Sequence, residues 1–305
     1  MSDTPPSTPA LWLDQARRRS LRGVKRLVRP LWMQALARRN ALSQASVLDP
    51  AGPALSLTSF GQRLDQVHYM LESVAAGELR PSRLLLWIDE ARLAQGLPPT
   101  LQRLVARGLE VRGCVDVGPH TKYYPSVSQL QLDRPLVTAD DDVLYPRHWL
   151  ARLVTAARRA PQFIHAHRAH QFSFGPDGQP APYAGWPPCR VTSPSHAHFV
   201  TGVAGVLYPP AMVQALREAG DGFLACCPRA DDIWLNAVAL RAGVQACQVT
   251  PFHPVLFELP GSRRGGLARH NVQGGGNDAQ LLATYRPEEL ARLRPAPVHP
   301  TGISP

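Results

Sequence analysis

With 305 residues and 33 lysines and arginines against 23 acids, the chain carries a net charge of +10 and is long enough to bury a sizeable core without staples. Its five cysteines are odd in number and lack Cys-x-x-Cys spacing, which excludes a zinc knuckle or a disulfide framework and points to a reducing cytosol. No apolar run reaches the roughly 18 residues that a bilayer span needs, and the N-terminal residues lack a secretory signal, so a cytoplasmic location is expected.

The charge is uneven. Residues 1–50 hold nine arginines and lysines against three aspartates, more than half of the net charge in a sixth of the length, and the rest is only mildly basic. A nucleic-acid footprint would lay its basic stripe on the folded domain instead, so no nucleic-acid partner is expected. Residues 1–10 are polar and proline-rich; residues 11–42 read as a basic amphipathic helix, kinked near Pro30. Such a helix suits either a solvated domain edge or an anionic membrane surface, and the membrane is slightly favoured, as peripheral attachment to the inner face.

From residue 54 strands and helices alternate. "ALSLTSF" is a short strand and residues 62–76 a helix ending at Gly77. "LLLWI" is a buried strand, Pro98 and Pro99 open a helix that stops at Gly108, and "LEVRGCV" is the third strand. "PLVTA" is the fourth, and a helix bearing Trp149, Leu150, Leu153 and Val154 follows Pro146. Alternation of this kind predicts right-handed crossovers and a mostly parallel α/β sheet, with ligands outside the carboxyl ends of the strands. In the second half, residues 162–169 and 202–209 read as strands, separated by a long stretch rich in Pro, Gly, Ser and His that suits a functional loop. Residues 231–242 form a helix closed by Gly243, "VQACQV" is the last strand, and from about Pro251 the chain reads as loop apart from a short helix over 287–293. The expected divisions are 1–50, an extension; 51–285, the main domain; and 286–305, a helix and tail.

The fourth strand runs into Asp140, Asp141 and Asp142. Three adjacent carboxylates cannot all ionise comfortably without a cation or a set of donors, and a hard divalent ion such as Mg2+ or Mn2+ compensates them well. The plainer alternative is a solvated acidic turn capping the next helix. A second pair, Asp231 and Asp232, either caps and complements the helix it opens or supplies a general base for a hydroxyl nucleophile. Lys122, one of two lysines, suits a phosphate as a compact point charge, unless it merely survives codon bias. His165, His167 and His170 lack a third ligand at metal spacing and read as acceptor or phosphate contacts, or as packing. "GGGND" (274–278) either closes over a diphosphate with its amides or is a tether.

The ordered blocks "SLTSF", "LLLWIDE", "GLEVRGCVDVGPHTKYYPS", "VTADDDVLYPRHWL", "FIHAHRAH", "TGVAGVLYPP", "ADDIWLNAVAL" and "NVQGGGNDAQL" together resemble bacterial GT-A fold glycosyltransferases of the family 2 type, found in capsule and cell-surface polysaccharide synthesis. The resemblance spans about residues 54–285. It implies a Rossmann-like, mostly parallel GT-A sheet flanked by helices, preceded here by the basic helical extension. It also implies a nucleotide-sugar donor, a saccharide or glycolipid acceptor, Mn2+ or Mg2+, and transfer with inversion. Carried over residue by residue, it puts Thr58, Ser59, Arg63 and Asp89 on the nucleotide; Lys122, on its own charge argument, and Asp141, whose part in the run stays open, are counted toward the donor beside them. Asp142 becomes the direct metal ligand and Asp140 lies nearer the ribose as well as the metal. Asp232, or its neighbour Asp231, becomes the base, although the usual family motif there is Glu-Asp. A haloacid-dehalogenase-type phosphatase also uses Asp-x-Asp after a strand, but it needs Thr or Val where Leu144 stands and puts its nucleophile on the first strand. A membrane- or nucleic-acid-binding scaffold driven by the N-terminus is the non-enzymatic rival. Against it, removing residues 1–45 from a transferase is expected to cost only membrane attachment.

Overall fold

The computed structural model describes residues 27–261 and 275–294. Residues 11–26, the first half of the expected basic helix, and Gly274 of the glycine run lie outside the described residues. Residues 27–42 form one helix, α1, with Pro30 inside it.

The strands β1 (Ala54–Thr58), β2 (Arg83–Asp89), β3 (Leu109–Cys114), β4 (Leu136–Thr138), β6 (Ile164–Ala166), β9 (Val206–Tyr208) and β10 (Ala246–Gln248) form one seven-stranded sheet in the order β10-β6-β9-β4-β1-β2-β3. Between them lie two-stranded β5 (Val143–Leu144) with β11 (Phe257–Glu258), and β7 (Ala169–Gln171) with β8 (His198–Val200), both antiparallel. The expected α/β class with a mostly parallel, Rossmann-like sheet is what the chain forms: β1, β2, β3 and β4 pair in parallel, as do β6 and β10.

Side-chain alternation on these strands builds two cores. Leu55 and Leu57 of β1, Leu84, Leu86 and Ile88 of β2 and Val137 of β4 face α2 (Val67–Ala75), α4 (Pro99–Val105) and α6 (Trp149–Arg159). Leu136, Ile164, Val206 and Tyr208 face the other way, onto α7 (Pro210–Ala219), α9 (Asp231–Arg241), α10 (Gly276–Thr284) and α11 (Pro287–Leu293).

Strand β9 is antiparallel to both of its neighbours. The reason is the path of the chain. It leaves β6 at the carboxyl edge, folds there into the β7–β8 hairpin, and so must enter β9 from that same edge. The expected strand over 202–209 is therefore shorter than its sequence suggested: Gly202–Ala204 is a 3-10 turn at the edge, and pairing begins at Val206. Gly205, at φ +92°, makes the bend, and the Trp149 indole packs where any Cβ would stand.

The long 171–200 stretch is likewise tied down, by the hairpin and by a 3-10 turn at Tyr183–Gly185. The segment expected to be loop from Pro251 pairs as β11 with β5, directly after the three aspartates, and Leu259 N donates to the Asp142 carbonyl at 2.7 Å. Helix α1 covers this corner: Leu36 packs with Leu144 and Leu259, and Trp32 meets Phe257 edge-on at 5.4 Å.

Candidate active site

Four segments converge on the carboxyl edge of the sheet: the β1 end, the turn after β3, the aspartates after β4, and the first turn of α9. Their convergence is carried by Lys122. Its Nζ lies 2.7 Å from Asp140 Oδ1 and 3.1 Å from Asp231 Oδ2, so one ammonium joins the two acidic groups. Burial by itself would lower this amine, but Asp140, Asp231 and Asp232 outweigh it and hold it protonated.

The segment bearing Lys122, a 3-10 turn at Gly118–Lys122 followed by α5 (Tyr124–Gln129), is anchored from both sides. Ser56 on β1 donates from its hydroxyl to the Lys122 carbonyl at 2.7 Å, and its oxygen lies 2.8 Å from that of Ser126. On the far side the fully buried His120 stacks on Phe223 at 3.9 Å, and its Nε2 meets the Cys227 carbonyl at 2.8 Å. Burial pushes this imidazole down to about 4, so it is a neutral structural bridge.

The three aspartates have three different environments. Asp141 points inward: it is 6% exposed, Ser59 donates to its Oδ2 at 2.6 Å and Arg63 to its Oδ1 at 2.9 Å. It thus bolts the turn to the end of β1, and burial still holds it above the usual carboxylate range. Asp140 faces Lys122, and its backbone N–H donates to the Tyr145 hydroxyl at 3.0 Å. Asp142 is partly exposed, with Arg63 at 3.3 Å. Burial, then the like charges of Asp140 and Asp141, push it up to about 7. No helix is capped here, because β5 follows directly and α6 begins only at Trp149, behind His148.

The second pair is not a cap either. Ala230 holds the N-cap position of α9 and contributes no side-chain bond. Asp231, 8% exposed, turns to Lys122, while Asp232 Oδ1 accepts from Gly202 N at 2.9 Å. Burial and the neighbouring Asp231 push Asp232 up to about 7, with Lys122 pulling it back down. Gly202 is close by necessity: a Cβ there would stand 3.0 Å from Lys122 Nζ and 3.3 Å from Asp232 Oδ1.

Ser59, Arg63, Lys122, Asp140, Asp141, Asp142, Asp231 and Asp232 are therefore brought into one site. Thr58 and Asp89 share the edge but have local partners: the Thr58 hydroxyl donates to the Trp87 carbonyl at 3.0 Å, and Asp89 caps α3 (Glu90–Ala94) by accepting from Arg92 N at 3.2 Å. His165 and His167 turn into the packing, their Nε2 atoms on the carbonyls of Ala160 at 2.9 Å and Trp149 at 3.0 Å. In "GGGND", Gly276, Asn277 and Asp278 open α10, and Asp278 Oδ1 accepts from Tyr183 N at 2.7 Å, holding the 3-10 turn rather than a ligand.

Sequence reasoning missed Ser56, His120, Gly202 and Asn236. The last fastens β8 to α9: Val200 N donates to its Oδ1 at 3.0 Å, while its Nδ2 donates to the carbonyls of Val200 at 2.9 Å and Asp232 at 2.7 Å. Its one readable signal was a position one helical turn after Asp232.

Five carboxylates here face two cations, Lys122 and Arg63, and the partly exposed Asp142, which shares Arg63 with Asp141, is left short of positive charge. That oxygen-only donor set fits a hard divalent cation. Among the described residues no three His, Cys, Asp or Glu side chains converge as a complete cage, so an ion held by Asp142 and Asp140 would draw its other ligands from a substrate and water.

No protein-family model matches the chain. No curated protein matches it either. Among solved structures, the chain is similar to a mannosyltransferase from Pyrobaculum calidifontis in complex with GDP-Man and Mn2+, with 13% identity, a TM-score of 0.49, and coverage of 90% of this chain and 78% of that one.

Proposed function

We propose that this protein is a metal-dependent glycosyltransferase of the GT-A type, moving a sugar from a nucleotide-sugar donor to a hydroxyl acceptor with inversion. The observation that carries this reading is the Lys122 bridge, which sets an acid group suited to a cation and diphosphate beside a second carboxylate suited to a hydroxyl. Neither the strand-end aspartates nor the α9 pair would suffice alone. The bound cation would offset charge on the departing diphosphate. Asp232, pushed up to about 7, is poised to take a proton near neutrality. The acceptor oxygen then bonds to the anomeric carbon from the face opposite the diphosphate, whose C–O bond breaks with the electron pair leaving on the nucleotide. Lys122 keeps Asp140 and Asp231 compensated while this happens.

Within this reading Ser59 and Arg63 shape the donor end by fixing Asp141, and Thr58 and Asp89 flank it. The setting would be surface polysaccharide or glycolipid synthesis at the cytoplasmic face. The packing of α1 supports a peripheral role for its outer side: Leu27, Val28 and Leu31 are exposed, while Leu36 is buried against the domain. Among the described residues no helix is long and apolar enough to cross a membrane.

A thermal-shift panel of nucleotide sugars with and without Mn2+ tests the donor and the metal together. Asp142→Asn is expected to lose metal-dependent donor binding, and Asp232→Asn to bind donor normally but not transfer. Normal donor binding by Asp142→Asn, unaffected by EDTA, would remove the metal assignment.

A further inference from the structure

The β7–β8 hairpin places a group of side chains beside Asp232 that the transfer chemistry above does not use. The register pairs Ala169 with Val200 and His170 with Phe199, and Thr201 N donates to the Arg168 carbonyl at 3.1 Å, so Arg168 stands opposite Thr201. Thr201 is followed by Gly202, whose N–H holds Asp232, and Asn236 fastens the adjoining Val200 to α9. Arg168 is thus fixed one step along the chain from the group that binds the proposed base.

Arg168 directly precedes β7, two residues from His170, which pairs with Phe199 and shares its face of the hairpin. Tyr183 meets Phe199 edge-on at 5.7 Å and Trp186 at 5.1 Å, while Trp186 lies beneath at 4% exposure. Tyr183 is half-buried, its ring lies 6.2 Å from that of His170, and its neighbour Phe199 stands three residues before Gly202, whose N–H holds Asp232; after burial, the charge of Asp232 raises its phenol. Tyr183 therefore offers a partly open aromatic surface against the hairpin that leads to Gly202 and Asp232, of the kind that sugar rings cover.

Arg168 is half-buried, and among the described residues no carboxylate pairs with it. Its Nη2 instead lies 3.2 Å from His170 Nε2. That nitrogen accepts, because His170 Nδ1 lies 3.2 Å from the Trp186 carbonyl and must carry the ring's proton to donate to it. Burial, then Arg168, push His170 down to about 4, so it orients the guanidinium without adding or removing charge. The result is a positioned fork of N–H donors with no paired carboxylate, held by a histidine that meets the Tyr183 ring, on the hairpin that leads to the base. A planar fork suits carboxylate and phosphate oxygens.

We infer that Arg168, held by His170 and flanked by Tyr183, is an acceptor subsite for a sugar that carries an anionic group, a carboxylate or a phosphate, near the hydroxyl deprotonated by Asp232. This rests on the transferase reading. Full-length protein with Mn2+ and whichever nucleoside diphosphate shifts its melting is titrated calorimetrically with methyl β-glucuronide, glucose 6-phosphate and the neutral methyl β-glucoside. At least one anionic sugar is expected to bind about ten-fold or more tightly than the neutral one, and the two anionic arms tell carboxylate from phosphate. Arg168→Gln should abolish that preference, Arg168→Lys should keep part of it, and both should bind the nucleotide as the parent does. Equal binding of charged and neutral sugars, no measurable binding of any, or a preference that survives Arg168→Gln overturns the subsite. Loss of nucleotide affinity in Arg168→Gln also overturns it, since Arg168 would then serve the donor. If no nucleoside diphosphate or nucleotide sugar binds at all, the transferase reading itself falls, and the subsite with it.

Discussion

Lys122 is where two predictions can be made sharply, because one side chain serves both acid groups. Lys122→Met leaves Asp140 and the buried Asp231 uncompensated, and breaking a buried pair from one side costs about 3 kcal/mol or more, readable in urea unfolding. It also removes the cation that restrains Asp232. A base works when deprotonated, so kcat/KM of the parent should fall about ten-fold per pH unit below pH 7, and in Lys122→Met that limb should move to higher pH. An unshifted limb would mean that Asp232 is not the titrating base. Gly202→Ala makes a complementary test: the added methyl presses on two side-chain ends, not on backbone, so melting should hardly change while turnover drops by about a hundred-fold from misplaced groups. Of these residues, Asp140, Asp141, Asp142, Asp231, Asp232 and Lys122 were readable in the sequence, because runs of acids and a rare lysine stand out in a basic, arginine-rich chain. Gly202 and Asn236 were not, since a glycine and an asparagine declare nothing until the backbone they serve is known.

At the scale of elements, helix α1 is more than an appendage. Glu72 on α2 is fully buried and meets Arg107, Arg39 at 3.2 Å and Asn40 Nδ2 at 3.1 Å, two of these partners coming from α1. Glu72→Gln strands two arginines and should cost about 3–5 kcal/mol in chemical denaturation. The same network bears on truncation. Removing residues 1–26 leaves it whole, whereas removing 1–45 also takes away Leu36, Arg39 and Asn40 and uncovers the corner formed by Leu144 and Leu259, so that variant should lose stability as well as any membrane attachment. An unchanged melting temperature for the 1–45 deletion would show that the helix does not support the domain. The amphipathic pattern announced this helix but not its partner, because an apolar stripe packs equally well on a lipid surface or on a protein face. Strand β11 was missed for a related reason: two residues are too few to display a period.

For the whole molecule, ligand binding should couple to stability, since the site is assembled from segments spread over most of the chain. Donor with Mn2+ at about a hundred times its Kd adds about 2.7 kcal/mol, and the melting temperature should rise by roughly 5 °C, a rise that Asp142→Asn abolishes. The succession of strands and helices, the burial of the second strand and the delivery of three aspartates to a strand's carboxyl end were determined by the sequence itself, because they depend on local period, turn residues and charge order. Sheet order was decided only in three dimensions. Side-chain alternation is the same for parallel and antiparallel strands, so nothing local shows that β9 inserts backwards between β4 and β6. That reversal follows from the hairpin formed before it, and it keeps Gly202 at the ligand edge. The meeting of Asp140 and Asp231 on one ammonium is likewise a property of the folded chain, since it needs three segments far apart in sequence to end on the same edge of the sheet.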